Sequence, residues 1–238
     1  MQPLNLPSNP RERLIVALDL PNAHEAVQLA TRFGDEVLWV KVGLELFTAA
    51  GPSVVAELRR RGRRVFLDLK LHDIPNTVAG AVRSASRLGV DLLTLHAEGG
   101  PAMMRAAAEA RGASGSPRLL AVTVLTSLDG SEYPGIYRAP VEERVCAFAQ
   151  AALAAGVDGV VASPRELGAL AEVVPPGFLR VIPGIRPAGA SLDDQARTAT
   201  PASALRAGAT HLVVGRPITR ADDPSAAARA ILGEIAAS

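Results

Sequence analysis

The chain of 238 residues fits one large domain or two small ones. Its apolar content of 48% and charged content of 21% exclude an intrinsically disordered protein. The net charge of +1 supplies no field for gathering nucleic acid or an anionic membrane, and no apolar run approaches a membrane span. We therefore expect a cytoplasmic protein that binds neither nucleic acid nor a membrane.

Short runs of β-branched and aliphatic residues alternate with Ala-rich amphipathic runs along the whole chain. The predicted strands are 14–20, 37–43, 64–70, 91–97, 119–127, 159–163, 178–184 and 211–217. Several intervening runs end on glycine, as helices commonly do, and Gly62 in RRRGRR is predicted to end one of them. No linker interrupts the pattern, which predicts one domain over 1–238 with residues 1–12 as a loosely ordered extension.

Eight β/α units in a chain of this length are typical of a single-domain α/β fold, the (β/α)8 TIM barrel. A doubly wound open sheet is the second possibility, although such sheets usually contain fewer units. In a TIM barrel the functional groups lie where the strands end and the following loops begin. The polar residues at the strand ends are therefore the candidate site.

The stretch LDLKLHDIPNT (67–77) places charges in what otherwise looks like a buried strand. Asp68 and Lys70 are two residues apart, so both face the barrel interior, where an unpaired charge would be costly. Lys41 ends strand 2 and Asp19 ends strand 1. A structural ion cluster closing the barrel mouth is possible, but several packed charges stabilise a fold poorly, which favours an active site.

Asp73 follows strand 3, in the loop that leads into the next helix. Asn76 could be the N-cap of that helix, with Pro75 just ahead of it. Strand 5 ends at Thr126 and Ser127, and strand 6 ends at Ser163. Nearly every strand thus brings a polar group to the same rim.

The last two units have a different character. The runs IPGIRP and VVGRPIT place glycines beside Arg186 and Arg216, after the two strands where many TIM barrels bind a phosphate. A glycine such as Gly215 lets backbone N–H groups approach an anion, and arginine supplies a bidentate partner. Arg216 could alternatively be a surface residue on a turn.

Other reactive side chains lack partners in the sequence. His72 and His96 have no neighbours at metal-ligand spacing and are predicted to be loop or rim residues, while His24 and His211 are predicted at the surface or a strand edge. Cys146 is predicted to be a structural thiol buried by its helix. We expect no metal site.

These residues together resemble the orotidine 5′-phosphate decarboxylase family, from LIVALD at residue 14 to GRPIT at 219. The specific element is D-x-K-x-x-D-I-P-N-T, which runs from Asp68 to Thr77. The other matching positions are Asp19, Lys41, Thr126, Arg186, Gln195, Gly215 and Arg216. The resemblance implies a (β/α)8 homodimer that converts orotidine 5′-phosphate (OMP) to UMP and CO2 in pyrimidine biosynthesis, without metal or organic cofactor.

The resemblance also implies a role for each matching residue. Lys70 would protonate C6 of the pyrimidine, Asp68 would lie against the leaving carboxylate, and Lys41 and Asp73 would complete the charged array. Lys41, Ile74 and Thr77 would also bind the substrate, in a site shared across the dimer interface, with Asp73 and Thr77 reaching into the neighbouring subunit's site. The remaining residues would bind the substrate: Asp19 the ribose, Thr126 the base, and Gln195, Gly215 and Arg216 the 5′-phosphate, with Arg186 in the same loop region.

Two alternatives remain open from the sequence. A sugar-phosphate decarboxylase or aldolase of the same barrel superfamily has a similar strand-3 motif but uses Mg²⁺ and an enediolate, and the D-I-P-N-T continuation favours the nucleotide enzyme. A non-catalytic sensor of a phosphate ligand would not need Lys70 flanked by acids.

Overall fold

Eight parallel strands close into a barrel in which the last strand pairs with the first. The computed structural model describes residues 9–112, 115–126, 139–187 and 198–238. The strands are β1 (Leu14–Ala17), β2 (Trp39–Gly43), β3 (Arg64–Leu71), β4 (Leu92–His96), β5 (Arg118–Val122), β6 (Gly159–Val161), β7 (Leu179–Ile182) and β8 (His211–Val214). The predicted TIM barrel is confirmed.

Helices connect the strands on the outside of the barrel. Within the described residues they are α1 (Pro10–Arg13), α2 (Ala23–Arg32), α3 (Leu44–Ala50), α4 (Pro52–Arg60), α5 (Pro75–Leu88), α6 (Gly100–Ala110), α7 (Val141–Ala154), α8 (Leu167–Val173), α9 (Pro201–Arg206), α10 (Arg216–Thr219) and α11 (Pro224–Ala236). Asn22 caps α2 by accepting from the Glu25 N–H, and Gly62 follows α4 with φ +74°, as predicted. Local side-chain and glycine signals thus set several helix boundaries.

Several strands end earlier than the sequence pattern predicts. β5 ends at Val122 instead of residue 127, because the apolar residues that follow, Val124 and Leu125, line a cavity instead of continuing the ladder. The suggestion that Asn76 caps α5 is wrong. Pro75 occupies the first helical position, which needs no N–H, and Ile74 before it has the extended backbone that a following proline requires.

Two apolar layers hold the barrel together. Along β3, Val65 and Leu67 face the helices, while Phe66 faces the barrel interior. The interior layer contains Ile15, Ala17, Trp39, Phe66, Leu92, Leu120, Leu179, Val181 and Val213. Because side chains alternate along a strand, the inward positions beyond this layer are Lys41 and Asp68, toward the carboxyl ends. The apolar interior therefore ends at a charged rim.

The predicted surface position of His211 is wrong. This side chain is 4% exposed inside the opposite end of the barrel, where it packs edge-on against Trp39 and its Nδ1 lies 3.0 Å from the Thr210 hydroxyl. Burial, followed by the charges of Arg118, Arg13 and Arg64, lowers the pKa of His211 to about 4. The prediction failed because histidine is a polar residue type and was therefore expected at the surface. Cys146 lies on α7 as predicted but is only partly buried.

The buried His211 predicts a loss of stability in mild acid. The unfolded chain accepts a proton near the ordinary pKa of 6.5, while the folded protein resists it down to about pH 4, so stability falls as the pH drops through that window. Between pH 7.5 and pH 5 this group alone should cost about 2 kcal/mol. The free energy of unfolding, measured with denaturant at both pH values, should fall by about 2 kcal/mol less in His211→Gln than in wild type. The control His24→Gln, at an exposed site, should show the full wild-type decrease. Equal losses in wild type and His211→Gln would contradict the assignment.

Candidate active site

Four charged side chains form a row of alternating sign across the carboxyl ends of β1 to β3. Lys41 Nζ lies 2.8 Å from Asp19 Oδ1 and 3.6 Å from Asp68 Oδ2. Lys70 Nζ lies 2.9 Å from each oxygen of Asp68. The row thus runs Asp19, Lys41, Asp68, Lys70, and its two positive and two negative charges balance.

Asp68 is the centre of this row and is largely buried. Burial raises its pKa, but the charges of Lys41 and Lys70, helped by hydrogen bonds from Lys70 and Thr94, outweigh burial and hold the pKa of Asp68 below its ordinary 3.8. Asp68 is therefore a carboxylate at neutral pH. The side chain of Lys41 is buried as well, whereas Lys70 is partly open to the cavity beside it.

The backbone of β3 is irregular where these groups stand. β3 advances four residues from Leu67 to Leu71 while β4 advances two from Leu93 to Leu95, which makes a bulge. Within it Lys70 has φ +51°, the only positive φ at a non-glycine position among the described residues. Such a conformation costs an L-residue about 1–2 kcal/mol, so neighbouring contacts must hold it.

Thr94 provides such contacts. Its side chain is fully buried, and its Oγ1 accepts from the Lys70 N–H at 2.9 Å and donates to Asp68 Oδ1 at 2.9 Å. Sequence reasoning missed Thr94. The alternation rule could have found it, because Thr94 is two residues before His96 and so shares its face of β4.

Gly43 is a second residue that sequence reasoning missed. A Cβ at this position would lie 2.8 Å from Lys41 Nζ and 3.0 Å from Asp19 Oδ1. Its φ of −93° is available to any residue, so the requirement for glycine is one of space. The absence of a side chain at Gly43 makes room for the ion pair of Asp19 and Lys41.

Two adjoining cavities open at this end of the barrel. The smaller, about 160 Å³, is mostly apolar and extends from the charged row to β5 and β6; it is lined by Lys41, Phe66, Asp68, Lys70, Val122, Val124, Leu125, Thr126, Val161, Pro183 and Val213. The larger, about 560 Å³, is polar; it is lined by Ala17, Asp19, Leu20, Pro21, Lys41, Glu45, Pro183, Gly184, Arg186, Val213, Gly215, Arg216, Thr219 and Arg220. Lys41, Pro183 and Val213 border both. A ligand with an apolar ring and an anionic group at the other end fits this pair of spaces.

The predicted binding residues after β7 and β8 meet at the larger cavity. Arg186 is buried and donates to the Ile185 carbonyl oxygen at 3.0 Å. Gly215 precedes α10, and Arg216 is the first residue of that helix. Gln195 lies outside the described residues.

The predicted site residues of the β3–α5 loop lie away from both cavities. Asp73, Ile74 and Thr77 are exposed on the rim and line neither cavity. The Asp73 carboxylate accepts from the Ile74 N–H, and among the described residues it forms no ion pair with Lys41 or Lys70. The fold of one chain therefore does not bring Asp73 to the charged row.

Other predicted rim residues have local roles. Ser163 is fully buried and forms a capping box with Glu166, so the prediction of a polar group offered at the rim is wrong there. The rings of His72 and His96 lie 5.4 Å apart, and burial, with the charges of His72 and Lys70, lowers the pKa of His96. The parts of the chain that the structure describes contain no cluster of three or more His, Cys, Asp or Glu suited to a metal ion, and none of their helices could span a membrane.

A TIM barrel with balanced charges beside a two-part cleft at its carboxyl-terminal mouth has the design of an enzyme. The chain belongs to the Orotidine 5′-phosphate decarboxylase / HUMPS family, whose model matches residues 12–231. It is 54% identical over 237 residues to an orotidine 5′-phosphate decarboxylase of Halorhodospira halophila, covering 99% of this chain and 100% of the relative. It is 56% identical over 227 residues to that of Alkalilimnicola ehrlichii, covering 94% and 97%. The crystal structure of orotidine 5′-phosphate decarboxylase from Lactobacillus acidophilus matches with a TM-score of 0.83 at 42% identity, over 94% of this chain and 98% of that one.

The space at Gly43 can be tested by filling it. Gly43→Ala should push the Lys41 ammonium away from Asp19, and because the lysine end can shift and Asp19 is half exposed, the loss of stability should be about 1 kcal/mol or less. Unfolding experiments and a crystal structure of the variant would measure both effects. Gly233→Ala is the matched control, because that position in α11 has open space and should gain up to about 1 kcal/mol. A Gly43→Ala protein with wild-type stability and an unchanged Asp19–Lys41 contact would contradict the steric argument.

Proposed function

We propose that this chain is a cytoplasmic orotidine 5′-phosphate decarboxylase, which converts OMP to UMP and CO2 in pyrimidine biosynthesis without metal or organic cofactor. The observation that carries the proposal is the charge-balanced row ending at Lys70, beside an apolar cavity. The names of the relatives support the same substrate.

The pyrimidine ring would occupy the apolar cavity near Thr126, with C6 facing Lys70. Loss of CO2 breaks the C6–carboxyl bond and leaves its electron pair on C6, in a carbanion that the ring delocalises poorly. A positive group already in place stabilises this charge without reorganisation. The Lys70 ammonium, held by Asp68, would fill that role and then transfer its proton to C6, recovering one from water afterwards.

Asp68 would also lie against the departing carboxylate. Two such charges ~4 Å apart repel by about 4 kcal/mol if the effective dielectric constant is ~20. The repulsion disappears as CO2 leaves, so it would raise the energy of the bound substrate relative to the transition state. The binding energy that offsets it must come from parts of the substrate remote from C6.

The phosphate and ribose would supply this remote binding energy. Arg216 and the backbone at Gly215, which line the polar cavity, would bind the 5′-phosphate, with Gln195 assigned to the same group by resemblance. Arg186 lines that cavity too. Asp19 would accept a hydrogen bond from the ribose while remaining paired with Lys41.

The main experiment measures OMP turnover, by loss of its absorbance, in buffer containing EDTA. Wild type should form UMP at full rate, and Lys70→Ala should lose nearly all kcat because it removes a charge needed mainly in the transition state. Arg216→Ala serves as the comparison and should chiefly raise KM. Absence of turnover, or turnover that returns only on adding Mg²⁺, would contradict the proposal and favour a sugar-phosphate enzyme.

We also propose that the active form is a homodimer with shared sites. Ile74 is 65% exposed and Leu44 is 54% exposed, although both are large apolar residues. Asp73, next to Ile74, has no lysine partner among the described residues of its own chain. These features support a second copy that covers Ile74 and receives Asp73 and Thr77 in its site, as the resemblance implies.

Mixed dimers test the shared site. Lys70→Ala and Asp73→Asn homodimers should both be nearly inactive, since every site carries one lesion. If Asp73 crosses the interface, a mixed dimer has one site with both lesions and one with neither. After the two variants are unfolded and refolded together, half of the dimers are mixed, and activity should recover to about a quarter of wild type. Activity that stays flat at every mixing ratio would mean that Asp73 serves its own chain.

A further inference from the structure

The bulge in β3 breaks the regular hydrogen-bond ladder where the charged residues stand. β3 residues between Leu67 and Leu71 face a single intervening β4 residue, Thr94. The Lys70 N–H, turned by the positive φ of that residue, finds the Thr94 side chain as its acceptor. A side-chain hydroxyl thus takes the place of a ladder carbonyl.

The directions of the two hydrogen bonds follow from the chemistry of a hydroxyl. Thr94 Oγ1 has one hydrogen, and it must accept from the Lys70 N–H, which cannot accept in return. Its own hydrogen is therefore free to point at Asp68 Oδ1, 2.9 Å away. Thr94 is 0% exposed, so water does not compete for either contact.

We propose that Thr94 is a positioning residue for decarboxylation: its hydroxyl fixes both the main chain of Lys70 and the carboxylate of Asp68. This inference rests on the proposed function. Because one hydroxyl binds the Lys70 main chain and the Asp68 carboxylate, and that carboxylate binds the Lys70 ammonium, the three groups are held together. Lysine side chains have several rotatable bonds, and a fixed backbone and a fixed anchor for Nζ remove much of that freedom.

The need for such positioning is greatest in the transition state. A proton donor displaced by an ångström from its target can lose about 100-fold in rate, while substrate binding through a distant phosphate is little affected. Removing the hydroxyl would take away the acceptor of the partly buried Lys70 N–H and leave Asp68 with one donor fewer. The bulge should then relax away from the geometry in which Nζ is equidistant from both Asp68 oxygens.

The experiment compares Thr94→Val, which keeps shape and removes the hydroxyl, with Thr94→Ser, which restores it. Thr94→Val should lower kcat for OMP by about 10- to 100-fold with KM changed less than about threefold, and Thr94→Ser should recover most of kcat. Thr123→Val is the matched control, because Thr123 is 1% exposed and its hydroxyl donates to the Val161 carbonyl oxygen. This variant loses a comparable buried hydrogen bond that does not involve the charged row. Its kcat should stay at the wild-type value.

Amide hydrogen exchange supplies a readout that does not depend on turnover. The Lys70 N–H should exchange about tenfold or more faster in Thr94→Val, and at the wild-type rate in Thr94→Ser and Thr123→Val. Wild type without OMP turnover would refute the proposed function, and the exchange data would still decide whether Thr94 holds Lys70. Unchanged exchange at Lys70, an unchanged kcat in Thr94→Val, or equal losses in the Val and Ser variants would overturn the positioning role.

Discussion

The structure of the barrel mouth depends on the contact of one carboxylate, Asp68, with two lysines. Lys41 and Lys70 both project toward the same end of the barrel, where Lys41 is buried and Lys70 is partly buried, and both need a counter-charge there. Asp68 lies between them and Asp19 pairs with Lys41, so the row carries no net charge. Because the acids and the lysines alternate, each contact in the row is attractive.

This constraint explains several local features that otherwise have no common reason. Asp68 and Lys70, two positions apart on β3, form their contact within the bulge of that strand. Thr94 supports that bulge from β4, and Gly43 leaves space beside Lys41 on β2. Backbone irregularity, a buried hydroxyl and a missing side chain therefore all serve the same four charges.

The two ends of the barrel interior differ in charge and in packing. At the amino-terminal end, Trp39 and His211 pack together and the histidine is kept neutral by burial, as suits a site that only needs to be filled. At the carboxyl-terminal end the interior is charged and open to two cavities. The free energy of folding comes chiefly from the apolar layers, which allows the rim to retain a costly group of charges.

Much of the fold follows from the sequence, because a strictly alternating β/α pattern leaves few topologies and the barrel rule then places the strand ends on one rim. Asp68, Lys70 and Lys41 could be predicted as a group for this reason. Alternation along β4 could have pointed Thr94 inward, but the bulge in β3 that brings the Lys70 N–H to its hydroxyl could not be predicted, since a register shift depends on how two strands pair and not on the sequence of either one. His211 was misplaced because its residue type favours the surface, whereas tertiary packing buried it. The fifth strand was predicted too long, through Val124 and Leu125, because an apolar cavity wall and an apolar strand have the same composition.

The most direct test of this account is the ionisation of Asp68 in the protein without ligand. Carbon-detected NMR of protein labelled with ¹³C-aspartate, with the signal assigned through Asp68→Asn, would follow the carboxyl group through an acid titration. The account predicts a midpoint below 3.8 in wild type, and a midpoint that moves upward in Lys70→Ala and in Lys41→Ala. A wild-type midpoint at or above 3.8, or a midpoint that stays at the wild-type value in either lysine variant, would show that Asp68 is not the shared counter-ion of the two lysines.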